Sequence, residues 1–207
     1  MIEKLIEGLK SISDQKLLNY CKGSRNESTY LANGLRNLNE ENFVLEFRIQ
    51  NTKKRVDLVI FRNERISLAL ELKVRHSHHL FANKKYIGFA GDVEKLQLSS
   101  LNNLMDDSNK NKYFLLLIQH IYSQDRIIDN WNEINQMYNN RVNGILPREQ
   151  QSSLILTQLK KRINDLIREL YLSENERPEL IESGFIKKDT YHNNLEIGLI
   201  SGLVKIP

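Results

Sequence analysis

The feature that most constrains this chain is the stretch at residues 66–75, ISLALELKVR, in which apolar and other side chains alternate strictly. Successive side chains of a β-strand point to opposite faces, so this pattern predicts a strand with one face in a core. The apolar face carries Ile66, Leu68, Leu70, Leu72 and Val74. The other face carries Ser67, Ala69, Glu71, Lys73 and Arg75. An acid and a base two positions apart on one face stand roughly 6.5–7 Å from each other.

A second strand is predicted at residues 56–61, with residues 61–65 as a tight connection between the two strands. Antiparallel pairing would bring Asp57 within reach of Glu71 and Lys73. Two carboxylates and one ammonium group on one sheet face can hold a divalent cation and a water molecule beside a phosphate. Taken alone, Glu71 and Lys73 would fit a solvated strand face equally well, because antiparallel sheets commonly expose one charged face.

Length and composition indicate an ordinary globular protein. The 207 residues predict a single domain, 1–207, with enough chain to bury a core without disulfides or structural metals. Cys21 is the only cysteine, which excludes an internal disulfide and fits a reducing cytoplasm. We find no apolar run of about 20 residues and no signal-peptide pattern, so we expect a cytoplasmic protein with no membrane partner.

The net charge of +4 leaves the type of partner open. A mildly basic chain is compatible with a polyanionic partner such as DNA. A soluble protein with a small excess of lysine has the same charge, so the composition does not decide between them.

Before the two strands, the pattern predicts helices and one further strand. Residues 2–20 show helical spacing, as two short helices broken near residues 11–14. A helix capped by Asn26 follows, with Glu27 in its first turn and a buried stripe at Leu31, Leu35 and Leu38. Residues 43–50 alternate as a strand that places Glu46 on its polar face, near the site or toward solvent. Three strands with short links predict an antiparallel meander.

After the meander, the pattern predicts a helix at residues 93–105, capped by Asp92, and a buried strand at residues 113–121. A strand, a helix and a strand in this order predict a parallel, central fourth strand. Gln97 and Gln119 are weaker candidates for polar contacts near the site. The remaining predicted elements are a helix at 127–138, a long basic amphipathic helix at 148–172, and an edge β pair at 185–188 and 195–206.

The loop after residue 75 contains three histidines, His76, His78 and His79. They suggest a transition-metal site only weakly, because no cysteine accompanies them and no pair has the i, i+4 spacing. Polar loop residues near a phosphate are the better interpretation. The same loop supplies candidates for contacts with a nucleic-acid backbone, namely Lys84, Lys85 and Tyr86.

The chain resembles the restriction-endonuclease-like, or PD-(D/E)XK, nuclease superfamily. The resemblance consists of Asp57, thirteen intervening residues and then Glu71-Leu72-Lys73, on two successive predicted strands that follow the helix bearing Glu27. It covers roughly residues 26–121 and is strongest over 56–74. Val56 stands where the family name has proline. The implied fold is an α/β restriction-endonuclease-like core, a mixed central sheet with an antiparallel meander plus a parallel strand, flanked by helices, with residues 122–207 as a C-terminal elaboration.

The resemblance also implies a chemistry. By position, Asp57 and Glu71 would ligate Mg²⁺, for which Mn²⁺ can substitute, and the carbonyl of Leu72 would be a further ligand. Lys73 would orient or help to deprotonate the attacking water, and Glu27 would support the metal or a water.

The function implied by the resemblance is a Mg²⁺-dependent DNA endonuclease, such as a type II restriction endonuclease or a related phage, defence or repair enzyme. Such enzymes often act as homodimers, and the helix at 148–172 and the C-terminal segment are candidates for dimer or DNA contacts. Two alternatives remain: a non-catalytic nucleic-acid-binding or assembly subunit on the same fold, and an α/β protein with no role in nucleic-acid metabolism. A pure binder would not require Asp57, Glu71 and Lys73 together.

Overall fold

A computed structural model describes residues 1–22, 27–38, 42–77, 80, 88–106, 111–123, 151–170, 177–192 and 195–207. Six strands form one sheet in the order β1-β2-β3-β4-β6-β5. The strands are β1 (Asn42–Arg48), β2 (Arg55–Arg62), β3 (Arg65–His76), β4 (Asn111–Ser123), β5 (Glu179–His192) and β6 (Leu195–Ile206). β3 and β4 are parallel, and the other neighbours are antiparallel. The predicted meander, the parallel fourth strand and the C-terminal β pair are confirmed.

Helices flank both faces of the sheet. They are α1 (Ile2–Lys10), α2 (Asp14–Lys22), α3 (Glu27–Gly34), α4 (Phe89–Leu96), α5 (Ser99–Asn102) and α6 (Gln151–Leu170), with a 3₁₀ turn at Leu35–Asn37. The two short N-terminal helices and the long amphipathic helix are confirmed, and the predicted ends of the latter, at 148–150 and 171–172, lie outside the described residues. Among the described residues, no helix combines the length and apolarity that a membrane span requires.

Two apolar clusters hold the helices on the sheet. One lies under α1, α2 and α3, and the other lies under α4 and α6. β4 contributes to both, because Leu115 and Leu117 point into the first cluster while Phe114, Leu116 and Ile118 point into the second. A strand covered on both faces has a continuous apolar run, and this run together with the strand–helix–strand order predicted a central position for β4. Each large apolar side chain buried there contributes about 1.5–3 kcal/mol.

α1 and α3 pack with their backbones in close approach. A Cβ at Gly8 would overlap the carbonyl group of Gly34 and come within 2.8 Å of the carbonyl oxygen of Asn33. Glycine is therefore required at this crossing for a steric reason. The crossing matters for the site, because α3 carries Glu27 at its first residue.

The strict alternation predicted for β3 is wrong at its first residues. The β2–β3 register shifts at Ile60/Phe61, and Ile66 packs in the cluster under α4 and α6 instead of with Leu68. Ser67 occupies the irregularity, and its hydroxyl donates a hydrogen bond to the Ile60 carbonyl at 3.1 Å. A β-bulge adds one residue to one strand and so exchanges the faces on either side of it.

The prediction for α4 is wrong at both ends. The helix begins at Phe89 and ends at Leu96, and a separate short helix, α5, follows. Gly88, with φ of 79°, is the residue that precedes the helix, so Asp92 lies in the first turn and is not the cap. Leu98 is extended, with ψ of 132°, and this interrupts the helical run that the apolar spacing predicted.

β1 does not alternate as predicted. It lies at the edge of the sheet and ends at Arg48, and Phe43, Val44 and Leu45 are all exposed. Glu46 has φ of 51°, which interrupts the extended backbone in mid-strand. A simple two-face pattern therefore does not apply to this strand.

The C-terminal pair is longer than predicted, because β5 begins at Glu179. Three register irregularities, at Leu180/Glu182, Phe185/Lys187 and Lys187/Thr190, break its periodicity. Several predictions fall on residues outside the described ranges: the cap at Asn26, the helix at 127–138, and the loop residues His78, His79, Lys84, Lys85 and Tyr86.

Candidate active site

The β2–β3 hairpin sets the relative position of the two acids of the motif. Its turn consists of Asn63 and Glu64, with φ of 49° and 63°. Two-residue turns with both φ values positive match the twist of the strands and fix their register. The ladder then runs to the pair Leu58↔Leu70, which places Asp57 opposite Glu71.

Beyond this pair, the backbone amides of β3 that face β2 donate hydrogen bonds to carboxylate side chains instead of to strand carbonyls. The amide of Leu72 donates to Oδ2 of Asp57 at 2.8 Å. The amide of Val74 donates to Oε1 of Glu27 at 3.3 Å. Backbone amides in a protein interior need partners, and these two acids supply them at the end of β3. The same hydrogen bonds fix the positions of the two carboxylates.

The geometry also places the Leu72 carbonyl. The amide and carbonyl groups of one strand residue point to the same neighbouring strand. Since the Leu72 amide points to Asp57, its carbonyl oxygen faces the same edge. Two oxygen donors of different kinds, from Asp57 and from Leu72, are thus available side by side.

Glu71 is the most deeply buried acid of the site, with 1% of its surface exposed. Its Oε2 accepts a hydrogen bond from Nζ of Lys95 on α4 at 2.5 Å. Its Oε1 is buried and has no hydrogen-bond partner among the described residues. A buried carboxylate oxygen without a donor is costly and calls for a ligand, an ion or water.

Lys73 lies between two acids from different helices. Its Nζ is 3.3 Å from Oδ2 of Asp92 on α4 and 3.8 Å from Oε1 of Glu27 on α3. Arg75 NH1 lies 3.7 Å from the same Glu27 oxygen. Gly88 allows this approach, because a Cβ there would lie 2.9 Å from Cε of Lys73.

Asp57 and Glu71 have raised pKa values because both are buried and lie close together. Burial raises the pKa of Asp57 to about 6; the Leu72 amide and the charge of Lys95 lower it, while Glu27 and Glu46 raise it. Burial and the charge of Asp57 also raise the pKa of Glu71 above its usual range, against the opposing effect of Lys95. Burial alone would lower the pKa of Lys95, but its hydrogen bond to Glu71 and the nearby acids raise it.

The structure therefore brings together four of the residues singled out from the sequence: Asp57, Glu71, Lys73 and Glu27. Glu46 is electrostatically coupled to Asp57 while remaining exposed. Glu71 does not lie on a solvated face, since α4 covers it.

Gln119 and Gln97 are the weaker candidates. Gln119 accepts a hydrogen bond from the Tyr30 hydroxyl at 2.8 Å and lies 3.0 Å from the ring of His76. This network joins α3 to the end of β3. Gln97 follows the last turn of α4, where its amide donates to Val93 and Glu94.

Sequence reasoning missed Asp92 and Lys95 as members of the site. Their i, i+3 spacing within GDVEKL puts both on one face of a helix, and this was the available signal. Oδ1 of Asp92 lies 3.0 Å from Nζ of Lys95, so one carboxylate contacts both lysines of the site, each through a different oxygen.

The donor set fits a hard divalent cation. Within the described ranges, no three or more His, Cys, Asp and Glu side chains are arranged as a ready metal-binding group. Mg²⁺ commonly takes only one or two carboxylates and retains several waters. The partnerless Glu71 Oε1, the Asp57 carboxylate and the Leu72 carbonyl provide oxygen donors of that kind.

In comparisons of this chain with protein-family models, with curated proteins and with solved structures, nothing matched.

Proposed function

We propose that this chain is a Mg²⁺-dependent DNA endonuclease built on a restriction-endonuclease-like core. The observation that carries the proposal is that Asp57 and Glu71 interact electrostatically just beyond the last β2–β3 pair, while Lys73, two residues along β3, pairs with Asp92 beside them. These are the groups that hydrolysis of a phosphodiester needs in one place: oxygen donors for a cation and a positive charge for the phosphate.

Asp57, Glu71 and the Leu72 carbonyl would hold the ion. Bound there, Mg²⁺ would make a water ligand more acidic and neutralise charge on the phosphate. The rest is done by the chain itself. Lys73 presents a compact ammonium group to the attacking water and to the negative charge that develops on the phosphate.

Glu27 has a positioning role in this proposal. It accepts from the Val74 amide and lies within 4 Å of Lys73 and Arg75. It therefore holds the end of the strand that carries Lys73. Because it is the first residue of α3, its position depends on the close packing of α3 against α1.

The burial of the acids favours an enzyme over a non-catalytic binding subunit. A surface that only binds DNA needs exposed cations and no buried acid beside them. Here Glu71 is buried, with one oxygen lacking a donor among the described residues. Costly buried acids with shifted pKa values occur preferentially at functional sites.

DNA is the proposed substrate because the motif resembles that of DNA endonucleases, and the net charge of +4 is compatible with a polyanionic partner. A homodimer is proposed with it, since a two-fold axis would let two copies address both strands of a duplex. Type II restriction, defence and repair remain the proposed settings, in the cytoplasm.

The test is cleavage of supercoiled plasmid DNA in Mg²⁺ by the purified chain. We expect nicked or linear product from the parent and none with EDTA, Asp57→Ala or Lys73→Ala. Lys187→Ala is the matched control, because Lys187 lies on β5, away from β2 and β3, where its Nζ forms an ion pair with Oδ1 of Asp14 at 2.7 Å. Cleavage that survives both site substitutions would contradict the proposal.

A further inference from the structure

Lys95 occupies an unusual position in the carboxylate cluster, which is formed by Glu27, Asp57, Glu71 and Asp92. Its Nζ lies 2.5 Å from Oε2 of Glu71 and 3.0 Å from Oδ1 of Asp92. Glu71 comes from the sheet and Asp92 from α4, so the ammonium group bridges two elements. A cation that contacts one oxygen from each of two carboxylates takes the place that a bridging metal ion would take.

The two acids that Lys95 joins are both buried, with 1% and 7% of their surfaces exposed. Each has a second oxygen that is buried and lacks a hydrogen-bond partner among the described residues, Oε1 of Glu71 and Oδ2 of Asp92. Within the described part of the chain, the cation nearest to this Asp92 oxygen is Nζ of Lys73, 3.3 Å away. Both carboxylates therefore retain acceptor capacity toward a cation.

The charge balance of the cluster depends on Lys95. The cluster contains the acids Glu27, Asp57, Glu71 and Asp92 and the cations Lys73, Arg75 and Lys95. Among the residues that the structure describes, three cations face four carboxylates, which leaves one negative charge. Without Lys95 two negative charges would remain uncompensated, and buried charges without partners are strongly unfavourable.

We propose that Lys95 is a built-in second cation, which holds Glu71 and Asp92 in place of a second divalent ion. In this arrangement the proposed nuclease site holds one metal ion, at Asp57 and Glu71, and the lysine supplies the charge that a second ion would bring. The inference builds on the proposed metal site, but it concerns the number of ions that the chain binds and not its cleavage of DNA.

The experiment counts Mn²⁺ ions bound per folded chain by calorimetric titration, in the full-length protein without DNA. Lys95→Ala removes the ammonium group and leaves room between the two carboxylates. Lys187→Ala is the matched control, because its side chain is also 19% exposed and is paired with a single carboxylate, Asp14. We expect Lys95→Ala to bind one more Mn²⁺ ion than the parent, and Lys187→Ala to bind the same number.

A second measurement covers the case in which Lys95→Ala is unstable. The unfolding temperature of each variant is compared with and without Mn²⁺, since an ion that binds only the folded chain stabilises it. The inference predicts a larger Mn²⁺-dependent rise for Lys95→Ala than for the parent, and a rise equal to the parent's when Asp92→Asn is added.

The outcomes separate this inference from the proposed function. An equal ion count in Lys95→Ala and the parent overturns the inference, whether the affinity rises or falls, and leaves the proposed nuclease intact. A parent that binds no Mn²⁺ contradicts the proposed metal site. If Lys95→Ala then still gains an ion, the role of Lys95 as a cation between Glu71 and Asp92 stands.

Discussion

Oδ2 of Asp57 accepts a hydrogen bond from the backbone amide of Leu72 at 2.8 Å. This contact ties the first acid of the motif to the backbone between Glu71 and Lys73. The three side chains are consequently positioned by strands and not by loops, and a site on rigid elements holds its geometry more closely.

The first prediction concerns stability and pH in the absence of metal. The pKa of Asp57 is about 6 in the folded chain, against an ordinary value of 3.8. The folded state thus binds more protons than the unfolded state between these values, so the free energy of unfolding falls as pH rises through that window. For a half-buried group, we expect Asp57 to account for about 1–2 kcal/mol of that fall.

Urea denaturation in EDTA at pH 4 to 7 tests this prediction. The fall in stability should be shallower for Asp57→Asn, which cannot ionise. Parallel curves for the variant and the parent would show that Asp57 titrates normally.

The second prediction separates Lys73 from the metal ligands. Lys73→Met keeps most of the side-chain volume but removes the charge beside the phosphate. We expect cleavage of DNA to fall by roughly 10²–10⁴-fold, as for loss of a positioned proton-transfer group, while Mn²⁺ binding is retained. Single-turnover rates and a Mn²⁺ titration on the same preparation give both quantities. If Lys73→Met lost Mn²⁺ binding as well as cleavage activity, the role of Lys73 would be structural.

The third prediction concerns Gly88. Its φ of 79° and the 2.9 Å distance from an added Cβ to Cε of Lys73 both disfavour any side chain. We expect Gly88→Ala to destabilise the fold by about 1 kcal/mol or more and to lower the cleavage rate by displacing Lys73.

Gly91→Ala, in the first turn of α4, is the control, since nothing lies within 4 Å of its added Cβ. It should stabilise the fold by roughly 0.5–1 kcal/mol and leave the rate unchanged. Equal effects of the two substitutions would argue against a steric role for Gly88.

The fourth prediction concerns the crossing of α1 and α3. A Cβ at Gly8 would meet the backbone of Asn33 and Gly34, which cannot move as a flexible side chain can. We expect Gly8→Ala to lower the free energy of unfolding by about 1–3 kcal/mol, as overpacking of a core does. Thermal unfolding measures it against Gly184→Ala, whose added Cβ has nothing within 4 Å. An equally stable Gly8→Ala variant would mean that the helices pack farther apart.

The sequence predicted the meander and the position of Asp57 opposite Glu71 because both depend on local signals. The alternation at Leu68, Leu70, Leu72 and Val74 identified the buried face, and the short link between β2 and β3 determined the pairing. The apolar run in β4 predicted its central position for the same reason.

The rest depended on contacts between distant residues. The bulge at Ser67 satisfies the carbonyl of Ile60, which no periodicity reveals. Asp92 is a residue type that often caps helices, but Gly88 is the cap here. The Asp92 carboxylate instead pairs with Lys73 and Lys95. Pairing of this kind across elements is set by tertiary packing and not by local propensity.

The most direct test of the site measures Mn²⁺ binding at pH 7.5. Binding is detected as the loss of the free-ion signal in electron paramagnetic resonance. The two variants to compare with the parent are Asp57→Asn and Glu71→Gln, with Lys187→Ala as the control. We predict that the parent and the control take up Mn²⁺ and that each carboxylate variant loses at least about 10-fold in affinity. Uptake by both carboxylate variants equal to that of the parent would contradict the proposed metal site.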